Sequence, residues 1–170
     1  MSPDGMVYLR EQCLTTIRAH GWMVAGHNRS ELSPRGNITY TAGLTEAGIP
    51  ELVVAELPHD PAGVLLNSLA RRHLDSELHA GDEVPLSNAV TLRLIDAPGV
   101  IAPIARSLYG RRARFLQVLW PDGSGRFPND PDWPADLQRQ AVYDQPLPDY
   151  LLPDGDGLVG VLDQIEEPGT

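Results

Sequence analysis

The chain has 170 residues, of which 42% are hydrophobic and 21% charged, and this length predicts a single folded domain. No apolar run reaches the roughly 20 residues that a membrane span needs, and a single cysteine, Cys13, excludes an internal disulfide framework. All 13 basic residues are arginines, against 23 acidic residues, and the formal net charge of −10 disfavours nucleic acid as a partner. The first residues lack a basic region followed by an apolar stretch, so we expect no secretory signal and a cytoplasmic location.

The first half of the chain predicts one helix followed by three strands. Ser2-Pro3 is typical of a helix start, and apolar residues at helical spacing continue to Gly21, which suits a left-handed C-terminal cap. This spacing places Cys13 on the buried face, where a thiol behaves as a small hydrophobe. Apolar and β-branched runs then predict strands at residues 22–27, 37–44 and 51–57.

The second half predicts two helices and two strands. Asp60-Pro61 indicates the start of a long helix that ends at Gly81. The apolar stripe that we expect to face the sheet comprises Val64, Leu65, Leu69, Leu74 and Leu78. A strand at residues 90–96 follows, and a last strand is predicted at residues 113–120. Between them Pro98 and Pro103 bracket the start of a short helix that ends at Gly110, with Ile101, Ile104, Ala105 and Leu108 on its buried face.

This order of elements predicts an α+β fold, because strands and helices do not alternate throughout as they do in a doubly wound nucleotide-binding fold. We expect a two-layer sandwich, in which about three helices pack on a mainly antiparallel sheet of about five strands. Residues 1–145 form the predicted domain.

Residues 146–170 are predicted to be an acidic tail, whose prolines and glycines prevent a long helix or a central strand. Two short apolar groups interrupt it at residues 150–152 and 158–162. We expect one or both to dock on the domain itself or on a second copy of the chain. Docking on a second copy would make a homodimer through a swapped arm.

Four strings of residues, taken in order, resemble a known family. They are His20-Gly21-Trp22, Tyr40-Thr41-Ala42-Gly43-Leu44, Pro50-Glu51-Leu52-Val53-Val54 and Leu116-Gln117-Val118-Leu119-Trp120-Pro121-Asp122, the last followed by Gly125 and Pro128. Through them the chain resembles the uncharacterised bacterial domain-of-unknown-function family 4262, from about residue 20 to residue 146. That family often has an aromatic residue after the last proline, where this chain has Asn129 and offers Trp133 instead. The resemblance implies one compact domain and brings no settled activity.

The sequence contains no complete motif for nucleophilic, metal or phosphate chemistry. No serine lies in a nucleophile elbow, and the five histidines do not pair with one another at helical ligand spacing. We therefore predict no metal and no cofactor. Four arginines, at positions 106, 111, 112 and 114, either hold an anion or pair internally, and the acidic composition favours internal pairing.

The candidate site consists of polar and aromatic residues at the ends of the predicted strands, because converging strand ends line clefts. In an enzymatic interpretation His20 is the general acid or base, Asp122 orients it, and Tyr40 or Gln117 polarises the substrate. The residues expected to contact a ligand are Trp22, Thr41, Gln117 and Trp120. The alternative is structural, since aromatic rings bury well and Pro121-Asp122-Gly123 is a turn signature.

Two functions from different classes follow. The favoured one is a non-catalytic binding or accessory module, immunity-like or regulatory, which engages a small molecule or a basic protein but neither nucleic acid nor a membrane. The alternative is a small cofactor-free enzyme of hydrolase, isomerase or cyclase type, in a specialised pathway, with its acid–base site at His20, Tyr40 and Asp122. The enzyme requires His20 and Asp122 to lie within a water-bridged hydrogen bond of each other.

Overall fold

The structure is a computed structural model, and it describes residues 3–28, 36–134 and 140–148, with the side chains of residues 3–8 left out. The helices are α1 (Pro3–His20), α2 (His59–Asp75) and α3 (Pro103–Tyr109). The strands are β1 (Met23–His27), β2 (Ile38–Ala42), β3 (Glu51–Ala55), β4 (Glu83–Pro85), β5 (Thr91–Asp96) and β6 (Phe115–Leu119). Two short 3₁₀ helices, Leu44–Ala47 and Gly110–Arg112, precede β3 and β6.

The strands form one sheet in the order β1-β2-β3-β6-β5-β4, so that β1 and β4 are its edges. Every neighbouring pair is antiparallel except β3 and β6, which run parallel. The predicted α+β sandwich with a mainly antiparallel sheet is therefore confirmed, with six strands where about five were expected. The additional strand is β4, whose three residues include Pro85 and are too few to show a strand pattern.

Apolar side chains pack on both faces of this sheet. On one face, Leu66 of α2 belongs to the same buried cluster as Val118 of β6. On the other, Ala105 of α3 shares a cluster with Tyr40 of β2, and Ala141 lies in it too. Because each fully buried leucine contributes about 2 kcal/mol, these two clusters hold the layers together.

The buried face of α2 differs from the predicted stripe. Leu69 and Leu78 are buried as expected, but Val64 and Leu74 are 73% and 43% exposed. The helix instead buries Ala62, Leu66, Leu69, Ala70 and His73. The predicted stripe omitted Leu66, although this residue is large and apolar, and it also overlooked the two small alanines and the histidine of this face.

α2 also ends at Asp75, earlier than the predicted end near residue 80, and His73 explains why. Its Nε2 donates a hydrogen bond to the carbonyl of Pro50 at 3.0 Å, and its Nδ1 accepts one from the amide of Leu78 at 2.8 Å. Burial lowers the pKa of His73. The neutral ring therefore ties the end of α2 to the chain just before β3.

The predicted boundary between a domain at residues 1–145 and a tail stays a prediction. Both apolar groups of the tail, and with them the expected docking and homodimer, fall within residues 149–170, which lie outside the described residues.

Candidate functional site

The strand registers define two ends of the sheet. The paired residues are Met23 with Ala42, Ile38 with Ala55, and Glu51 with Phe115. The starts of β1, β3 and β6 therefore lie at one end, together with the end of β2, and we call it the Gly43 end. The ends of β1, β3 and β6 lie at the other, which we call the Trp120 end.

His20 and Asp122 lie at opposite ends of the sheet. His20 is the exposed last residue of α1, just before β1, at the Gly43 end. Asp122 follows β6 at the Trp120 end. The length of a strand, about 15 Å, and two intervening strands separate them. The structure does not bring this acid–base pair within a water-bridged hydrogen bond.

The Asp122 carboxylate closes the turn that follows β6. Its Oδ1 accepts hydrogen bonds from the amides of Ser124 at 2.8 Å and Arg126 at 2.9 Å, and its Oδ2 accepts one from Nε of Arg126 at 2.9 Å. The amide of Arg126 contributes most to lowering the pKa of Asp122. These contacts agree with the turn signature of the sequence and hold the carboxylate in its ionised form.

Thr41 belongs to a cradle around the buried carboxylate of Glu51. This carboxylate accepts hydrogen bonds from the hydroxyls of Thr41 and Thr45 and from the amides of Gly43, Leu44 and Thr45. The Thr41 oxygen in turn accepts the amide of Leu52 at 2.9 Å. Burial raises the pKa of Glu51, and the hydrogen bonds oppose this effect. Thr41 and Glu51 belong to two of the strings that carry the family resemblance. Their hydrogen bonds therefore stabilise the connection between β2 and β3.

Gln117 and Trp120 fasten the chain after residue 140 to β6. The Gln117 side-chain amide donates to the carbonyl of Ala141 and accepts the amide of Tyr143 at 2.9 Å. The Gln140 side chain pairs in the same way with the backbone carbonyl of Trp120 at 2.6 Å and with its amide at 3.3 Å. Both side-chain amides form hydrogen bonds with backbone groups, so these contacts stabilise the fold.

Trp22 lies at the Gly43 end, far from Trp120. Its Nε1 donates to Oδ1 of Asn67 in α2 at 2.8 Å, and the Arg71 guanidinium lies 5.9 Å from the ring centroid. The structure therefore does not bring the two tryptophans into one site.

Tyr40 contacts His27, a residue that the sequence analysis did not select. The Tyr40 hydroxyl lies 2.7 Å from Nε2 of His27, and the two rings stack with their centroids 5.5 Å apart. The same hydroxyl accepts the amide of Ile104, at the start of α3, at 3.0 Å. Tyr40 is fully buried, and burial raises the pKa of its phenol, which therefore keeps its proton.

His27 is only partly buried, and its second ring nitrogen, Nδ1, has no hydrogen-bond partner among the described residues. Burial lowers the pKa of His27, and the nearby His59 imidazole adds to this effect. His27 is therefore neutral at pH 7.

The His59 imidazole lies on the opposite face of β1 and is fixed at both nitrogens. Nδ1 lies 2.8 Å from the hydroxyl of Thr39, and Nε2 lies 2.9 Å from the side-chain oxygen of Asn28. Because the Asn28 oxygen can only accept, Nε2 carries the proton and Nδ1 accepts from Thr39. This ring has no nitrogen left for a ligand.

Sequence reasoning missed His27 and His59. The available signal was a histidine at the end of a predicted strand, next to a polar connection. The β1–β2 register brings Tyr40 to His27, whereas His59, the first residue of α2, meets Thr39 because α2 packs against β2.

Of the four arginines near α3, Arg106 is engaged inside the fold. The Arg106 guanidinium points inward, donating to the carbonyls of Val100 and Ala113 and lying 4.8 Å from the Phe115 ring centroid. Burial lowers the pKa of Arg106 to about 10. Its role is internal, as the sequence analysis favoured.

Exposed acidic side chains gather near the connection between α2 and β4. They are Asp75, Glu77, Asp82 and Glu83. Glu83 lies 3.5 Å from a guanidinium nitrogen of Arg93, which pairs more closely with Asp130. This surface is acidic, but charge alone identifies no partner.

No group of three or more histidine, cysteine or acidic side chains among the described residues is placed to hold a metal ion. None of the helices there combines the length and apolar character needed to cross a membrane.

A family model matches residues 16–134, which is more than half of the chain and includes all four strings named above. No curated protein and no solved structure matches the chain significantly. The chain therefore belongs to the family described as Domain of unknown function (DUF4262).

Proposed function

We propose that this domain is a non-catalytic module that binds a small molecule beside His27. The observation that carries the proposal is an imidazole whose Nε2 is held by the buried Tyr40 hydroxyl and whose Nδ1 has no partner within the described part of the chain. That hydroxyl is itself held by the amide of Ile104, so the ring is fixed before any ligand arrives. A preorganised polar group loses little freedom on binding.

The surroundings of His27 suit a small ligand. Ala25, on the same face of β1, and Ile104 and Leu108 of α3 are partly buried apolar residues packed against the cluster that contains Tyr40. Ligand sites typically combine apolar walls with a few fixed polar groups, and here His27 supplies such a group.

Binding without catalysis is favoured because His27 has no acid–base partner within reach among the described residues. Tyr40 is buried and its pKa is raised, so it holds its proton, and both nitrogens of His59 are engaged. The enzymatic alternative at His20, Tyr40 and Asp122 has no geometry in its favour. A basic protein partner would rest on the acidic surface alone, and charge by itself identifies no partner.

Nuclear magnetic resonance of the ¹⁵N-labelled full chain with added phenol tests the proposal. Phenol is a small aromatic probe with one polar group, and we expect it to shift the amide resonances of Ala25, His27 and Ile104. Fragments of this size bind in the millimolar range, so the titration extends to that concentration.

Two matched truncations localise the effect. Ile104→Ala removes an apolar wall of the site and should weaken phenol binding severalfold. Val64→Ala removes exposed apolar surface on α2 and should leave binding unchanged. The proposal is wrong if phenol shifts no resonance around His27, or if both variants reduce binding equally.

A further inference from the structure

We infer that the ligand beside His27 is an uncharged, largely apolar molecule whose carbonyl oxygen accepts a hydrogen bond from Nδ1–H of His27. The inference rests on the proposed function, because it names the chemistry of the ligand at that same site. It depends on which of the two imidazole nitrogens carries the proton, and the hydrogen bonds of Tyr40 decide this.

The Tyr40 hydroxyl has one hydrogen to donate. Its oxygen already accepts the amide of Ile104, and the described part of the chain places Nε2 of His27 as the partner for the hydroxyl hydrogen. An acceptor nitrogen carries no proton in a neutral imidazole, so the proton lies on Nδ1. His27 therefore presents an N–H donor to the surface.

The opposite tautomer leaves a buried group unsatisfied. With a proton on Nε2, the Tyr40 oxygen would accept two hydrogen bonds, and its own hydrogen would have no acceptor among the described residues. Tyr40 is fully buried, so water cannot replace that acceptor, and an unsatisfied buried hydroxyl is costly. The buried phenol thus acts as a positioning residue that fixes the tautomer of His27.

A neutral donor selects a neutral acceptor. No carboxylate forms a hydrogen bond or ion pair with His27 in the described part, and burial lowers the pKa of its imidazole. A carboxylate ligand would lose its hydration for one neutral hydrogen bond, in a chain of net charge −10. A ketone, ester or amide carbonyl loses less hydration free energy on binding and forms the same hydrogen bond.

The residues around Tyr40 indicate the apolar part of the ligand. The Tyr40 hydroxyl contacts both the His27 ring and the amide of Ile104, so the start of α3 lies near His27. Ile104 and Leu108 of α3 are partly buried apolar residues that pack against the cluster containing Tyr40. A carbonyl on a small hydrocarbon body satisfies both features.

The test compares benzamide with toluene, which has nearly the same size but no carbonyl, on the ¹⁵N-labelled full chain. Long-range ¹H–¹⁵N spectra first assign the tautomer, and we expect a proton on Nδ1 of His27 at pH 7. Benzamide should bind at least severalfold more tightly than toluene and should shift the Nδ1 resonance. The ring nitrogens of His59, which are both engaged, serve as the internal control and should not move.

Tyr40→Phe tests the positioning role. It removes the hydroxyl that fixes the tautomer, so the Nδ1–H form should lose its dominance, and benzamide should lose its advantage over toluene. His27→Phe keeps an aromatic ring without an N–H, and it should abolish the advantage even if Tyr40→Phe lowers the stability of the fold.

The outcomes separate the inference from the proposed function. If toluene and benzamide bind equally beside His27, or if Nε2 carries the proton, the carbonyl inference is wrong and the small-molecule site survives. If neither probe shifts resonances around His27, the proposed function is wrong and the inference falls with it.

Discussion

The imidazole of His59 lies directly against the backbone of Gly26, and a Cβ atom at position 26 would overlap that ring. Gly26→Ala should therefore push His59 away from Thr39 and Asn28, whose hydrogen bonds fix it. We expect a loss of about 1–3 kcal/mol in the free energy of unfolding, the usual cost of overpacking. Denaturant unfolding followed by circular dichroism measures it.

Gly123→Ala is the matched control. A Cβ at position 123 would meet no atom within 4 Å, so this variant should stay within about 0.5 kcal/mol of the parent chain. Equal effects of the two substitutions would show that the contact between His59 and Gly26 does not constrain β1.

Local pattern accounts for most of the fold. The α+β class, the three helices and five of the six strands follow from periodicity and turn residues, because these signals depend on neighbours in the chain. The buried face of α2 was predicted less well. Ala62 and Ala70 are buried there because their small side chains fit against the sheet, but alanine contributes little to a pattern of hydrophobic residues. β4 was missed because three residues that include Pro85 form a strand only through pairing with β5.

The site could be predicted only in part, because hydrogen-bond partners come from registers between strands. Tyr40 was selected as a polar residue of a strand, yet its partner His27 follows from the β1–β2 pairing. Asp122 was selected as a partner of His20, but the order of the strands places the two at opposite ends of the sheet. No spacing in the sequence carries that order.

The cradle around Glu51 predicts a strong difference between two substitutions of Thr41. Thr41→Val removes a donor to the buried carboxylate and an acceptor for the Leu52 amide, and should cost about 3 kcal/mol. Thr41→Ser keeps the hydroxyl and loses a single methyl group, so it should cost about 1 kcal/mol. Denaturant unfolding of both variants checks this order, and equal losses would mean that the hydroxyl does not support Glu51.

The hydrogen bonds between the Gln117 side chain and the chain after residue 140 predict that their loss changes the dynamics locally. Gln117→Leu fills the same space without the two hydrogen bonds to Ala141 and Tyr143. Amide hydrogen exchange should become about tenfold faster at Tyr143, and also at Gly99, whose amide donates to the carbonyl of Tyr143. Exchange at Leu66 in α2 is the control and should not change. Uniform acceleration at all three amides would contradict the prediction, because it would indicate a global loss of stability.

His73 makes the stability of the fold depend on pH. Burial lowers its pKa in the folded chain below the ordinary value of 6.5, so below pH 6.5 the unfolded chain binds more protons than the folded one. Stability should therefore fall as the pH is lowered from 7.5 to 5.5, by at most about 1.4 kcal/mol per pH unit below 6.5 for this group. His27 acts in the same direction, whereas the raised pKa of Glu51 acts in the opposite one as its carboxylate becomes protonated.

His73→Gln separates the contribution of His73 from these other groups. The glutamine amide offers a donor towards the carbonyl of Pro50 and an acceptor towards the amide of Leu78, but it does not titrate. Unfolding free energies of the variant should decline less steeply between pH 7.5 and 5.5 than those of the parent chain. An unchanged slope in His73→Gln would mean that His73 is not the buried neutral group that couples the end of α2 to pH.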